Sequence, residues 1–348
     1  MFDPSQPVAV LAAGSWGTAL AMLLGRKGLA VRLWARRPEL ARQLQQGRRN
    51  PTYLAQYDLP ETVAGCETLA EAVAGVELVV LAPICAGLRP LMQALRPHLR
   101  PEHWLVSTTK GLELGTGLRP SQVIQSELPE ELSGRMAVLS GPNLAAEVAA
   151  GLPSTAVAAS PDHTVAQDAQ AAFMCPLFRV YSNPDMVGVE LGGALKNVIA
   201  LGAGLSDGMG FGDNARAALM TRGLAEITRL GVAMGAQPAT FRGLSGVGDL
   251  MATCSSKHSR NYRVGCALAG GAGLAAVLAE MAPQIPEGVS TTEAACQMAE
   301  HYRVEMPITQ VTAMVLRGEL SAREGARALM ARTRKDELEE EWLRTSGG

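Results

Sequence analysis

The sequence lacks any marked excess of charge of one sign. Lysine and arginine together number 31, aspartate and glutamate number 33, and the formal net charge is −2. Without a global basic field, a protein has no general means of recruiting nucleic acid or an anionic membrane. We therefore expect neither partner, and a site for an anionic ligand must be built locally.

Targeting segments and metal motifs are also missing. Residues 1–7 contain no basic cluster, and the apolar run that begins at Val8 is too short to span a membrane. We therefore expect a cytoplasmic protein that does not insert into a membrane. The six cysteines form no C-x-x-C pair and have no histidine at zinc-ligand spacing, which indicates reduced thiols and no metal site.

The chain contains enough hydrophobic residues to form the cores of two domains. The chain has 348 residues, of which 47% are hydrophobic and 18% charged, a composition typical of ordered globular proteins. A chain of this length usually exceeds what one hydrophobic core serves. The sequence therefore predicts two domains.

The first half of the chain alternates short apolar runs with helical spacing. The runs suited to buried strands are residues 8–12, 30–34, 78–82, 104–108 and 136–140. Segments with helical periodicity lie between them, including residues 18–26, 39–46 and 88–95, and are long enough for the crossovers of a parallel sheet. This alternation predicts an α/β fold with an N-terminal doubly wound, Rossmann-like sheet domain.

Strand signals cease near Asn183 and Pro184, and the remainder favours helices separated by glycine-rich turns. We predict a dinucleotide-binding domain over residues 1–184, an all-helical substrate domain over 185–336 and a charged tail over 337–348. Two S-x-x-E patterns, at Ser290 and Ser321, predict helix starts with capping boxes.

A dinucleotide-binding signature lies at the first predicted strand. The segment VAVLAAGSWGTALAMLL has Gly14 and Gly17 at the second and third positions of a G-x-G-x-x-G pattern, with Ala12 at the first. Gly14 lets the backbone approach a pyrophosphate, Gly17 lets the helix pack on the strand, and the free amides of the helix start attract the negative charge. Alone, this pattern also fits an ordinary turn, but its place at the first strand favours a nucleotide site.

The second predicted strand bears on the choice of cofactor. NAD-specific enzymes usually end it with an acid that binds the ribose hydroxyls, whereas arginine suits a 2′-phosphate. Here it is followed by Arg36 and Arg37, and no acid occurs before Glu39. The pair favours NADPH over NADH, although a solvated basic pair is the alternative.

The segment from Glu190 to Gly202 is typical of a buried helix, and Lys196 is the only charged residue between Glu190 and Asp207. A lysine is rarely buried without a partner, so it either pairs with an acid at a cleft or extends to solvent. A desolvated ammonium has a lowered pKa and can protonate an oxygen that gains negative charge. Lys196 is therefore a candidate general acid.

Other polar groups follow predicted strands or lie at turns. Lys110 follows the 104–108 strand, and Gly141 and Asn143 follow the 136–140 strand, so all three lie at the carboxyl edge, where ligands of open α/β sheets bind. In the helical half, Asp249 is a natural partner for Lys196. The consecutive residues 259–261, Ser-Arg-Asn, supply hydroxyl, guanidinium and amide donors for a phosphate.

Together these residues resemble the bacterial NAD(P)+-dependent glycerol-3-phosphate dehydrogenase family from Val8 to about Asp336. The resemblance lies in the blocks AAGSWGTALA, STTKGLE, SGPNLAAE, YSNPDMVGVELGGALKNVIALGAGLSDGMGFGDNARAALMTRGLAE, GVGDLMATC and SRNYRVG. It implies reduction of dihydroxyacetone phosphate, a small phosphorylated substrate, to sn-glycerol 3-phosphate for glycerophospholipid synthesis. It also implies NADPH or NADH as cofactor and a homodimer.

The resemblance also implies roles for individual residues. Lys196 would be the acid/base, helped by Lys110 and oriented by Asp249. The implied substrate contacts are Lys110, Gly141, Asn143, Lys196, Asp249, Ser259, Arg260 and Asn261. The implied cofactor contacts, together with Gly14 and Gly17 from the turn, are Ser15, Trp16, Arg36, Arg37, Lys110, Ala145, Arg260, Ile285 and Glu287.

Three positions depart from the family pattern: Ala12 replaces a usual glycine, Asn143 a usual serine or threonine, and Ile84 a common serine. A methyl group at position 12 costs about 1–2 kcal/mol if the backbone needs a positive φ there. Two other functions stay open on the residues alone. One is a hydroxy-acid or sugar-acid dehydrogenase of similar build. The other is an NAD(P)H-binding sensor without turnover, for which the set Lys196, Lys110 and Asp249 has no use.

Overall fold

The structure is a computed structural model that describes residues 2–128, 132, 134–334 and 336–337. Except for Glu337, the predicted tail lies outside the described residues.

The N-terminal half forms an eight-stranded sheet with the order β3-β2-β1-β4-β5-β6-β7-β8. All neighbouring strands are parallel except β6 and β7, which pair antiparallel. The strands are β1 (Val8–Leu11), β2 (Val31–Trp34), β3 (Val63–Cys66), β4 (Leu78–Leu81), β5 (Trp104–Ser107), β6 (Met136–Ser140), β7 (Ser154–Ala159) and β8 (Phe178–Asn183). The sheet is therefore mixed at the edge formed by β7 and β8.

The five predicted strands are present, with ends within one residue of those expected. The sequence did not predict β3, β7 or β8. Strand β3 contains Gly65, β7 consists mostly of small residues, and β8 alternates buried and exposed positions at first, because it lies at the sheet edge. None of the three has the continuous large apolar run that marks a strand buried on both faces.

Among the described residues, seven α-helices cover the two faces of the sheet. They are α1 (Ser15–Arg26), α2 (Pro38–Gly47), α3 (Leu69–Val73), α4 (Cys85–Leu95), α5 (Pro120–Glu127), α6 (Ala145–Ala150) and α7 (His163–Phe173). Side chains alternate across the sheet: Val8 and Val10 join the core beneath α1, α2, α6 and α7, whereas Ala9 and Leu11 join the core beneath α3, α4 and α5. This is the doubly wound arrangement that the sequence predicts.

The C-terminal half is helical throughout its described elements. The helices are α8 (Met186–Gly208), α9 (Gly212–Ala233), α10 (Asp249–Ser255), α11 (Arg260–Ala269), α12 (Leu274–Met281), α13 (Gly288–His301), α14 (Pro307–Leu316) and α15 (Ala322–Met330). Helix α8 is long and apolar enough to cross a membrane by composition, but 94% of its most apolar window is buried inside the protein. It is the core helix around which α9, α10, α11 and α13 pack.

Two glycines bring α8 and α11 into close contact. A Cβ atom at Gly204 would overlap the carbonyl of Tyr262, and a Cβ at Gly265 would overlap the carbonyl of Leu201. Without side chains at these two positions the helix backbones approach each other closely. Helix α11 is thereby held against the C-terminal half of α8.

The two predicted capping boxes have different outcomes. Ser321 caps α15 and exchanges hydrogen bonds with Glu324, as predicted. The prediction at Ser290 is wrong, because α13 already begins at Gly288. The Ser290 hydroxyl instead donates to the carbonyl oxygen of Glu287 at 3.1 Å.

Candidate active site

The loops that follow β5 and β6 meet at the carboxyl edge of the sheet. Lys110 lies three residues beyond β5, and Gly141 directly follows β6. Because these strands are parallel neighbours, their ends are adjacent, and the Lys110 ammonium donates to the Gly141 carbonyl oxygen at 3.1 Å. The backbone of Gly141 has φ +143°, and a Cβ there would lie 2.9 Å from the backbone of Ala156.

One carboxylate joins the two lysines that the sequence singled out. Asp249, the first residue of α10, accepts a hydrogen bond from Lys196 at Oδ1 and from Lys110 at Oδ2, the latter at 2.5 Å. Thr253, one turn later on α10, accepts from Lys196 at 2.7 Å and donates to Asp249 at 3.3 Å. The structure thus brings Lys110, Lys196 and Asp249 into a single cluster between the sheet and the helices.

The cluster changes the acidity of Lys196. Burial lowers the pKa of its ammonium to about 8, and the neighbouring charge of Lys110 acts in the same direction. The Asp249 carboxylate opposes both effects without overcoming them. An ammonium with a pKa near 8 is mostly protonated at neutral pH and loses its proton readily, as a general acid must.

The start of α11 supplies donors for an anion. Ser259 caps the helix by accepting from the Tyr262 N–H at 3.3 Å, which leaves the hydroxyl hydrogen available to another acceptor. Arg260 is partly buried, and within the described part of the chain its side chain has no hydrogen bond or ion pair. The first N–H groups of a helix lack acceptors within it and favour a negative charge.

Asn261 is largely occupied by structural hydrogen bonds. Its Nδ2 donates to Asn197 Oδ1 at 2.9 Å, and its Oδ1 accepts from the Gly288 N–H at 2.9 Å. The side chain therefore ties α8, α11 and α13 together, with one amide hydrogen left for a ligand.

Glu287 lies where the two halves of the chain meet. Its Oε1 accepts from the N–H of Cys85, the first residue of α4, at 2.8 Å. Burial raises the pKa of the Glu287 carboxyl, while the Cys85 N–H and the positive charge of Arg260 counteract this. Ile285 is 50% exposed.

The glycine-containing turn between β1 and α1 has the predicted geometry. A Cβ at Gly17 would overlap the Ala12 carbonyl, so close packing of helix on strand requires glycine there. Gly14 has φ −76°, and a Cβ there would meet no atom within 4 Å, so the space beside the turn is open. Ser15 begins α1, and Trp16 packs partly against the core.

Ala12 adopts φ +92°, which lies in the region that favours glycine. The steric cost expected for a methyl group at a position with positive φ therefore applies to Ala12, and the turn is strained.

Unpaired polar atoms concentrate at the same edge of the sheet. Among the described residues, six buried side-chain polar atoms lack a hydrogen-bond partner, and four of them lie at the ends of β1, β5 and β6: Trp16 Nε1, Ser107 Oγ, Ser140 Oγ and Asn143 Oδ1. Buried polar groups are normally satisfied, so such a cluster is typical of a ligand site. Together with the open turn at Gly14, it fits a bound dinucleotide.

The remaining predicted residues lie farther from the cluster or are engaged elsewhere. Arg36 and Arg37 are exposed after β2, and Arg37 Nη2 lies 3.4 Å from Thr52 Oγ1. Asn143 donates through Nδ2 to the Thr155 carbonyl at 2.9 Å, and Ala145 is the first residue of α6. The described residues contain no group of three or more His, Cys, Asp or Glu side chains arranged to hold a metal ion.

Sequence reasoning missed four polar residues around this region. Asn197 and Glu190 share α8 with Lys196, and their presence in a mostly apolar helix was a usable signal. Glu190 is buried and accepts from Arg119 and from the Ser121 N–H and hydroxyl. Thr253 and Asn50 gave no such signal, because a single Thr or Asn is common in helices and loops.

Comparison with known proteins identifies the family of this chain. Two family models match, described as the N-terminus and the C-terminus of NAD-dependent glycerol-3-phosphate dehydrogenase, over residues 7–166 and 185–327. Proteins named glycerol-3-phosphate dehydrogenase [NAD(P)+] from Symbiobacterium thermophilum and Moorella thermoacetica are 51% and 50% identical. The matches cover 96% of this chain in both cases, and 96% and 98% of those proteins.

A solved structure gives the same result. The crystal structure of glycerol-3-phosphate dehydrogenase from Coxiella burnetii is 37% identical, with a TM-score of 0.89 over 95% of this chain and 100% of that one. The chain therefore belongs to the NAD-dependent glycerol-3-phosphate dehydrogenase family.

Proposed function

We propose that this protein reduces dihydroxyacetone phosphate to sn-glycerol 3-phosphate with NADPH or NADH, with Lys196 as the general acid. The observation that carries the proposal is the buried cluster in which Asp249 binds both Lys196 and Lys110. Family membership and the names of relatives about 50% identical give the reaction and the cofactors. The cluster supplies the proton chemistry that the reaction needs.

A nicotinamide dinucleotide held along the carboxyl edge of the sheet would provide the hydride for the carbonyl carbon. Lys196 gives a proton from Nζ to the carbonyl oxygen, so that the C=O group becomes CH–OH, and the lysine regains its proton from solvent. Lys110 places a second positive charge beside the oxygen while that oxygen is negative. Asp249 holds both ammonium groups in position through opposite oxygens of one carboxylate.

We assign the substrate phosphate to the start of α11. Arg260, the Ser259 hydroxyl and the remaining Asn261 amide hydrogen are suited to its oxygens, together with Gly141 and Asn143 near the substrate body. Binding energy from the phosphate would hold the carbonyl against Lys196.

The cofactor would bind along the carboxyl edge. Its proposed contacts are Gly14, Ser15, Trp16, Gly17, Arg36, Arg37, Lys110, Ala145, Arg260, Ile285 and Glu287. The open space at Gly14 and the unpaired Trp16 Nε1 support the turn as the pyrophosphate site. The exposed pair Arg36 and Arg37, with no acid at the end of β2, supports a preference for NADPH.

Family membership also supports a proposal for the assembly and the cellular role. We propose a cytoplasmic homodimer whose product enters glycerophospholipid synthesis. We further propose two domains, residues 1–184 and 185–336, since the last strand ends at Asn183 and the core helix α8 begins at Met186. Sedimentation at several protein concentrations tests the dimer.

The deciding experiment follows NADPH and NADH absorbance with purified protein and two substrate classes. We expect dihydroxyacetone phosphate to be reduced. Turnover only of unphosphorylated hydroxy or sugar acids would assign the second dehydrogenase function instead, and binding of NADPH without turnover of either class would indicate a sensor.

A further inference from the structure

Asn50 lies outside all the motifs named above, yet its side chain is 1% exposed and fully hydrogen bonded. Its Nδ2 donates to the Ala13 carbonyl oxygen at 3.0 Å and to Thr18 Oγ1 at 2.8 Å. Its Oδ1 accepts from the N–H groups of Thr52 and Tyr53 at 3.2 and 3.0 Å. A primary amide has two hydrogens and two lone pairs, so every capacity of the group is used.

The turn that Asn50 contacts is the strained one. Ala12 has φ +92°, and its N–H donates to the Trp34 carbonyl oxygen at 3.1 Å on the β2 side. A non-glycine residue keeps such a conformation only where its surroundings enforce it. The hydrogen bond from Asn50 to the next carbonyl, that of Ala13, fixes the peptide groups that lead into Gly14.

The same side chain connects this turn with the region beside Arg37. Thr52, whose N–H binds Asn50, also places its hydroxyl 3.4 Å from Arg37 Nη2. One amide therefore links the turn at the start of α1 with the segment that follows α2.

We propose that Asn50 is a positioning residue for the dinucleotide: it holds the Ala12–Gly14 turn in the form that receives the pyrophosphate and couples that turn to the Thr52–Tyr53 segment. This inference rests on the proposed cofactor site at Gly14. It requires a carboxamide, because the carboxylate introduced by Asn50→Asp would keep both acceptor interactions but set an oxygen against the Ala13 carbonyl and add a negative charge.

The first test is the affinity for the two cofactors, measured by fluorescence titration of the whole protein. We expect N50A to raise the Kd for NADPH and for NADH by a similar factor of about 10, since both share the pyrophosphate, and N50D to raise it further. The kcat at saturating cofactor should change by less than about 2-fold, because the lysine cluster is untouched.

Thr62→Ala is the matched control. The Thr62 hydroxyl donates to the Gly25 carbonyl at 3.1 Å, near the other end of α1, so its loss perturbs the same helix away from the turn. We expect no change in Kd for T62A. Equal weakening by T62A and N50A, or unchanged Kd in both Asn50 variants, would overturn the proposal. If N50A does not fold, Thr18→Val removes one of the two acceptors of Nδ2 and gives the same test.

A double-mutant cycle with Ala12→Gly tests the coupling to backbone strain. Glycine adopts a positive φ without a steric cost, so the turn should depend less on Asn50 in that background. We expect N50A to weaken NADPH binding only about 2-fold there. If the effects of N50A and A12G on the free energy of NADPH binding were additive, the inference would be contradicted.

Gly14→Ala separates this inference from the proposed cofactor site. The residue has an ordinary φ and open space, so alanine should fold normally and obstruct only a ligand. Unchanged NADPH binding in G14A would remove the cofactor from this turn altogether. If NADPH binding were weaker in G14A but unchanged in the Asn50 variants, the cofactor site would stand and only the role of Asn50 would be rejected.

Discussion

The ion pair between Lys196 and Asp249 lies almost entirely out of water, with side chains 8% and 1% exposed. The second oxygen of Asp249 binds Lys110, so two ammonium groups share one carboxylate and the cluster keeps a net positive charge when both lysines are protonated. This surplus charge suits an oxygen that becomes negative during reduction. Burial is the main reason that the pKa of Lys196 is lowered although the lysine has an acidic partner, and the charge of Lys110 adds to that effect.

Replacement of the general acid should remove turnover but not cofactor binding. We expect Lys196→Ala to lower kcat by about 1,000-fold or more, because the variant loses the proton donor at that position. The Kd for NADPH should stay within about 2-fold of the parent value, since the proposed pyrophosphate site is on the sheet. Lys27→Ala is a suitable control, because Lys27 binds the carbonyls of Ala171 and Ala172, away from the cluster. An unchanged rate in K196A would exclude Lys196 from the mechanism.

The rate should depend on pH through Lys196. Reduction needs the protonated ammonium, so its kcat should fall as the pH rises through about 8, whereas oxidation of glycerol 3-phosphate needs the free amine and should rise there. Lys110→Gln removes a neighbouring positive charge and should move the inflection to higher pH. Asp249→Asn removes the negative charge and should move it lower. Profiles that do not shift in opposite directions would contradict this electrostatic account.

Cofactor preference should depend on the arginines after β2. We expect Arg37→Ser to lower kcat/KM for NADPH by about 10-fold and to leave the value for NADH nearly unchanged, since only NADPH carries a 2′-phosphate. Arg42→Ser is the matched control, because Arg42 lies on α2 and pairs with Glu39 and Glu67 at the surface. If the parent enzyme clearly preferred NADH, the assignment of these arginines to the 2′-phosphate would be wrong.

Relief of strain at Ala12 should stabilise the fold. Ala12→Gly removes a steric cost of about 1–2 kcal/mol and adds about 0.5–1 kcal/mol of chain entropy to the unfolded state, so the free energy of unfolding should rise by about 0.5–1 kcal/mol. Ala13→Gly, at a position without a positive φ, should lower it instead. Urea unfolding of the three proteins measures both changes, and a loss of stability in A12G would show that the turn is not strained.

Glu226 should make stability fall with rising pH. The side chain accepts from the N–H groups of Ile308 and Thr309, and burial raises its pKa from 4.5 to about 7. The folded protein therefore binds this proton more tightly than the unfolded chain does. The resulting stability is fully present below about 4.5 and is lost as the pH rises through about 7. Glu226→Gln should flatten the dependence of Tm on pH over this range, and an equal slope in parent and variant would contradict the assignment.

The N-terminal fold could be predicted from the sequence where its strands are completely buried. The strands at Val8 and Leu78 are continuous apolar runs, the strand at Trp104 is apolar up to its last residue, and only a sheet covered on both faces accommodates them side by side. The sheet edge formed by β7 and β8 could not be predicted. These strands consist of small residues or alternate buried and exposed positions, and their pairing depends on neighbours distant in the chain.

The sequence by itself determined the chemistry of the separate groups: a lone lysine in an apolar helix, an acid at a glycine turn, and a glycine pattern after the first strand. Only the tertiary structure decided that one carboxylate serves both Lys196 and Lys110, that Ala12 takes a positive φ, and that Asn50 holds the turn beside it. Each of these depends on atoms that are many residues apart and meet only when sheet and helices pack. The amino-acid sequence therefore shows which chemical groups are available, and tertiary packing decides which of them interact.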